Sequence, residues 1–219
     1  MEWLNLTHEL PQLSAGAHEE NSGQLCAMEM IAYLEQLPHS DAPPCTHELI
    51  RNWIIGCNDG TDIDSTRNMI WPYLPQAINT LHLNTASLID RALHTFFSQV
   101  IPYLVPLSSE REALFRNIPL CNIKKRYNEL WYDLPFRHLD GAYLDLMASL
   151  DRYPIKNLWE LRSLIGQLAA FQRDTYLERQ TSAMKAKLMI LDAMLDTQPA
   201  KPIDRQRVEE AAKVVETTL

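Results

Sequence analysis

Glycine is the scarcest structural resource of this chain. Only 6 of 219 residues are glycine, where average usage would give about 15. Rossmann turns, P-loops, β-hairpins and propellers all place glycine at positive φ, so the shortage argues against each of them. Long apolar runs are also missing, and none approaches the roughly 20 residues that span a bilayer. No membrane association is therefore expected. Basic residues number 20 against 28 acidic, a formal net charge of −8, which speaks against a phosphate-tracking surface. Cys26, Cys45, Cys57 and Cys121 form no CxxC pair and read as thiols of a reducing compartment. The first residues lack the basic region and apolar core of an export signal. The chain reads as a soluble, cytoplasmic protein. It carries no G-x-S-x-G, Walker A, dinucleotide fingerprint or HExxH.

Proline, at 13 residues, is abundant beside glycine, and this combination reads as helices ended by proline. Residues 1–21 are mixed and are expected to form an irregular arm that packs back. Cys26, Met30, Tyr33, Leu34 and Leu37 recur at helical spacing, which predicts a helix from Gly23, capped by Asn21 or Ser22 and ended by Pro38. Pro38, Pro43 and Pro44 keep the next stretch from being helical. Thr46 is the expected cap of a second helix carrying Leu49, Ile50, Trp53, Ile54 and Cys57, stopped at Asn58-Asp59-Gly60. A third helix is expected from Asp64 or Ser65, broken by Pro72 and Pro75. Another should run over 84–100 behind Asn84, and shorter ones over 108–115, 122–134 and 140–152.

Leu158, Leu161, Ile165 and Leu168 form one apolar stripe, and Met184, Leu188, Leu191 and Leu195 form another. The polar stretch between them allows one long helix or a hairpin turning near 180–182. A last amphipathic helix is expected over 204–219. The fold class is therefore all-α, with about eight to ten helices. Its expected organisation is an arm (1–21), a helical domain (22–153) and a C-terminal helical region (154–219) able to serve oligomerisation as a homodimer.

Reactive side chains are densest between residues 18 and 59. Cys26 near a helix N-terminus sits where amides and macrodipole favour a thiolate, as a nucleophile or soft metal ligand requires. Glu29 follows on the same side, and the proline-rich loop adds His39, Ser40, Asp41 and Cys45 before His47. If the two helices form an antiparallel hairpin, Cys26 and Glu29 lie near Asn58 and Asp59, with His39 to His47 at the other end. Catalytic candidates are Cys26, Glu29, His47 and Asp59, with His18 or His47 as proton partner. Metal candidates are Cys26, Asp41, Cys45 and His47, although their spacing fits no zinc finger or ribbon. Buried cysteine also behaves as a small hydrophobe, and Ser-Asp-Ala-Pro is ordinary turn chemistry, so a purely structural reading competes throughout. The run Asp59 to Asp64 lacks EF-hand order and reads as a solvated turn. Lys124, Lys125, Arg126, Tyr127 and Trp131 form the one basic-aromatic mixture. It could stack single-stranded nucleic acid, but global acidity favours an aromatic core face with a solvated basic face.

Gly23, Cys26, Met28 and Glu29, then Pro38, Ser40, Asp41 and Pro43, then Cys45, Thr46 and His47, then Asn58 and Asp59, resemble an uncharacterised family of bacterial and phage or mobile-element proteins. The resemblance covers about residues 22–95 and extends to Arg67, Leu74 and Pro75. Ala42 stands where members carry histidine, which removes one ligand from a metal site there. The resemblance implies a fold-defining or functional role for Cys26, Glu29, Asp41, Cys45, Asn58 and Asp59, with no activity to carry over. The leading expectation is an acidic, all-α, protein-binding protein of inhibitor type, encoded by a phage or mobile element and acting on a host complex. The alternative is a cysteine- or metal-dependent hydrolase using residues 18–59. No cofactor is predicted, and a metal is the one candidate.

Overall fold

A computed structural model of the chain describes residues 10–105, 158–172, 175–196, 198, 201–202 and 204–216. Among them every regular element is helical, in keeping with the all-α expectation. The helices expected over 108–115, 122–134 and 140–152, and the Lys124–Trp131 patch, lie outside the described residues. The described residues fall into two compact units. One holds those up to Leu83 together with those after Asp196, and the other holds those from Asn84 to Asp196. The division at residue 83 differs from the boundary expected at 153, and it returns the last helix to the first unit.

In the first unit the central element is α1 (Ala27–Leu34). Seven of its residues are buried, Glu29 among them, and only Tyr33 is partly open. A helix apolar on nearly every face must be surrounded. It is flanked by α2 (Glu48–Asn58), α4 (Leu74–Ala77) and α9 (Arg205–Glu216). The α2 stripe Leu49, Ile50, Trp53, Ile54 and Cys57 is buried as its spacing predicts. Trp53 is 1% exposed, and truncating it would cost about 3–5 kcal/mol. Between α2 and α4 lie α3 (Asp64–Arg67) and a 3₁₀ segment (Asn68–Tyr73), where Pro72 prevents a regular α-helix.

The start of α1 is later than Gly23. Cys26 is the N-cap, with Sγ accepting from the Glu29 amide and the Glu29 carboxylate returning to the Cys26 amide. This is a capping box with a thiol in the hydroxyl position. Its end precedes Pro38. Gln36 takes φ of 56°, and the amides of Gln36 and Leu37 bond Tyr33 O and Ala32 O. That is a Schellman motif in which glutamine occupies the position glycine usually takes. Asn21 and Asn79 also adopt positive φ, so a chain poor in glycine makes its tight turns partly with amide side chains.

Arg207 of α9 reaches Leu34 O at 3.1 Å, satisfying a carbonyl orphaned at the end of α1. Residues 10–21 have no regular structure but are fastened inward. Trp71 Nε1 donates to Pro11 O at 2.9 Å, and Leu13 N to Asn68 Oδ1 at 3.0 Å.

The second unit pairs α7 (Leu158–Gln172) with α8 (Tyr176–Leu195), and α8 also packs on α5 (Thr85–Thr95). The stretch 158–195 is thus two helices, and the second starts at Thr175, well before residues 180–182. Thr175 and Glu178 form a capping box there. Asn84 caps α5 as expected. A π-turn (Phe96–Val100) then leads into α6 (Ile101–Leu104). Pro102 lacks the amide that would bond Ser98 O and its ring crowds that carbonyl, so the turn before it widens.

Candidate functional site

The residue 18–59 cluster assembles around the start of α1, in two adjoining parts. The first is the Glu29 carboxylate, 1% exposed. Oε1 accepts from His18 N at 2.6 Å, and Oε2 accepts from Cys26 N at 2.7 Å and from His18 Nδ1 at 2.9 Å. Burial alone pushes this carboxyl up. The two amides and the His18 ring outweigh it, and the net is a group held below its ordinary 4.5. Because an ionised carboxylate only accepts, His18 carries its proton on Nδ1. His39 Nε2 lies 2.8 Å from His18 O and 3.7 Å from Glu29 Oε1. A carbonyl accepts, so His39 donates from Nε2. One buried carboxylate thereby ties the arm to α1, and His39 ties the proline-rich loop to both.

The second part is a cavity of about 30 Å³ lined by Gly16, Cys26, Asp41, Ile55, Asn58 and Asp59 among others. Asn58 Nδ2 donates to Ser14 O and to Asp59 Oδ1, each at 2.8 Å, and Gly16 N donates to the same Asp59 oxygen at 2.8 Å. Asn58 Oδ1 is buried and has no hydrogen-bond partner among the described residues. Below this floor the buried Arg67 gathers Asn58 O at 3.0 Å, Leu13 O at 3.1 Å, Thr61 O at 2.6 Å and the Asp64 carboxylate. The acidic run 59–64 is thus a turn closed over a guanidinium.

These placements divide the expected candidates differently. Cys26 and Glu29 do lie near Asn58 and Asp59, but His39 and Asp41 join them. The Schellman turn sends the loop back along α1, which at 1.5 Å per residue is only about 12 Å long. Cys45 and His47 remain at the start of α2. There Thr80 accepts from His47 N at 2.9 Å and its own amide bonds Cys45 O at 3.2 Å. His47 Nδ1 caps α2 by accepting from Leu49 N at 3.1 Å, so His47, and not Thr46, is the cap. Burial lowers its pKa from the ordinary 6.5, opposed by the Glu48 charge.

The four metal candidates therefore do not converge. Among the described residues no three of His, Cys, Asp and Glu are grouped as a metal ion requires. Nor do the surroundings of Cys26 favour the thiolate expected at a helix start. Burial pushes its thiol up to about 12, the Glu29 amide pulls it down, and the Glu29 charge adds to the rise.

The His39 contact escaped sequence reasoning because a turn made by glutamine carries no glycine signal. Cys26-x-x-Glu29 was the available sign of the true helix start, since it has capping-box spacing with cysteine for serine. Compared with known proteins, the chain matches no family model, no curated protein and no solved structure.

Proposed function

We propose that this is an acidic, all-α interaction protein that binds a protein partner carrying basic side chains beside an apolar contact. The supporting observation is Trp159 in the first turn of α7, which is 65% exposed. Its ring lies 5.3 Å from the Arg162 guanidinium. Two paired helices joined by a short connection run antiparallel, so the start of α7 lies at the end of the hairpin where α8 finishes. Exposed Asp192 and Asp196 are there. Burial and the Asp196 charge push the Asp192 carboxyl up, a pair that a cation would relieve. An exposed tryptophan at the same end of a hairpin as exposed carboxylates is the usual make-up of an interface anchor with a charged rim. Tyr176 and Leu177 leave a second exposed apolar spot in the first turn of α8. We place the protein in the cytoplasm, as a phage or mobile-element product acting on a host complex, with α7 and α8 also available for self-association. That origin rests on the resemblance of residues 22–95.

Cross-linked capture and native mass spectrometry test this reading on the full chain. Partner or self-complexes should weaken at least tenfold in Trp159→Ala, and should weaken with salt in the wild type but less in Asp192→Asn/Asp196→Asn. A strictly monomeric protein with no complex, or complexes indifferent to Trp159, would sink it.

A second reading, a hydrolase, is favoured only by the His18–Glu29 pair, because a carboxylate holding imidazole Nδ1 is how a general base is oriented. The thiol beside it is the weak point of that reading, since Cys26 is buried, protonated and engaged as a helix cap.

A further inference from the structure

We propose that α9 is a detachable C-terminal strap that two copies of the chain exchange, so that the surface of α1 beneath it takes α9 of a second copy as its partner. The helix is bound through few apolar atoms. Among its described side chains only Val208 and Ala211 are buried. A helix of 12 residues is marginal by itself in water, so α9 depends on its docking. What docks it is specific. Arg207 Nη1 donates to Leu34 O at 3.1 Å and to Tyr33 O at 3.4 Å, both in the last turn of α1. Just ahead of the helix, Lys201 pairs with the Glu35 carboxylate, and its amide donates to Pro75 O of α4 at 3.1 Å. The surface beneath does not favour being bare. Every residue of α1 but Tyr33 is buried, and a helix of that kind has to be covered.

The order of the chain makes exchange simple. The first unit runs to Leu83, the second follows, and the chain then returns to the first with α9. Its connection to α8 covers residues 196–204, a stretch that spans up to about 30 Å when extended. As the last helix of the described residues, α9 leaves α1 without threading a loop. On a second copy the same bonds to Leu34 O, Tyr33 O, Glu35 and Pro75 O are remade, so the exchanged dimer differs from two monomers in the connection and in the entropy of association. A foreign helix would have to reproduce Lys201, Arg207, Val208 and Ala211 in register. A second copy does so by identity. This dimer is separate from any contact made through Trp159.

The test uses the full chain as an equal mixture of ¹⁴N and ¹⁵N protein, concentrated, equilibrated and separated by size-exclusion chromatography. Zero-length carbodiimide cross-linking then joins Lys201 to Glu35, and mass spectrometry reads the isotope of each joined peptide. The monomer fraction should give single-isotope links only. The dimer fraction should give mixed- and single-isotope links in equal amounts, because each link in an exchanged dimer crosses between chains. Exchange should be about tenfold faster in Arg207→Ala, which loses a charged hydrogen bond to the α1 carbonyls. The isotope result stands on the wild type alone and needs no variant to fold. Absence of a dimer, a dimer holding single-isotope links only, or an exchange rate indifferent to Arg207 would overturn the strap.

Discussion

The Glu29 carboxylate accepts from both the backbone amide and the ring Nδ1 of His18, at 2.6 and 2.9 Å. A residue of the irregular arm is thus bonded twice to a buried charge in the central helix. Glu29→Gln keeps the shape but turns a donor toward amides that also donate. Urea unfolding should show a loss of about 2–4 kcal/mol, and a loss under about 1 kcal/mol would refute the pairing. Because the folded pKa of Glu29 lies below 4.5, its contribution is present above pH 4.5 and lost as pH falls through the folded value. The variant should lack that part of the acid transition.

His47 supplies a second, higher pH window. Its Nδ1 lone pair caps α2, and burial holds its folded pKa below 6.5. The unfolded chain binds the proton more readily, so stability falls as pH drops below 6.5 toward the folded value. His47→Asn keeps a capping oxygen without titrating in this range. Its urea midpoint should vary less between pH 7.5 and 5 than that of the wild type, and equal slopes would count against the cap.

Gln36 closes α1 at φ of 56°, a conformation that suits glycine. Gln36→Gly should stabilise the fold by about 0.5–1 kcal/mol, read as a higher thermal midpoint. A lower midpoint would mean that the glutamine side chain makes a contribution beyond the turn.

Arg67 gathers three backbone carbonyls and the Asp64 carboxylate. Arg67→Met should cost about 3 kcal/mol or more. Arg67→Lys should recover little, because an ammonium cannot span a planar fork of acceptors. Recovery of most of the stability by lysine would show that charge, and not the fork, holds the arm.

Periodicity and stop signals were enough to read α2 and α5, since Leu49, Trp53 and Cys57 repeat on the buried face of the first, Leu88 and Ala92 on that of the second, and Asn58-Asp59 and Asn84 mark boundaries. Caps made by unusual atoms were harder to see. A thiol opens α1, glutamine closes it, and an imidazole opens α2. Thr175-x-x-Glu178 was a legible capping box, overshadowed by the polar composition around it. For the site, the candidates Cys26, Glu29, Asp41 and Asp59 do gather. Cys45 and His47 do not, because a reversal after Leu34 sets which loop residues return to Glu29. The orientation of the Asn58 amide depends on where two other acceptors, Ser14 O and Asp59 Oδ1, sit, which spacing along the chain does not encode.

The central claim is that the cluster at the start of α1 holds the fold and presents a pocket, and does not present a nucleophile. Site-resolved iodoacetamide kinetics on the native protein test it most directly. Cys26 is buried with its thiol pushed up to about 12, and Cys45 is only half-buried. The prediction is that Cys45 alkylates well ahead of Cys26 near neutral pH, with Cys26 reacting only as the protein unfolds. Cys26 reacting first, with a thiolate titrating near pH 7, would contradict the account and return the hydrolase reading to the front.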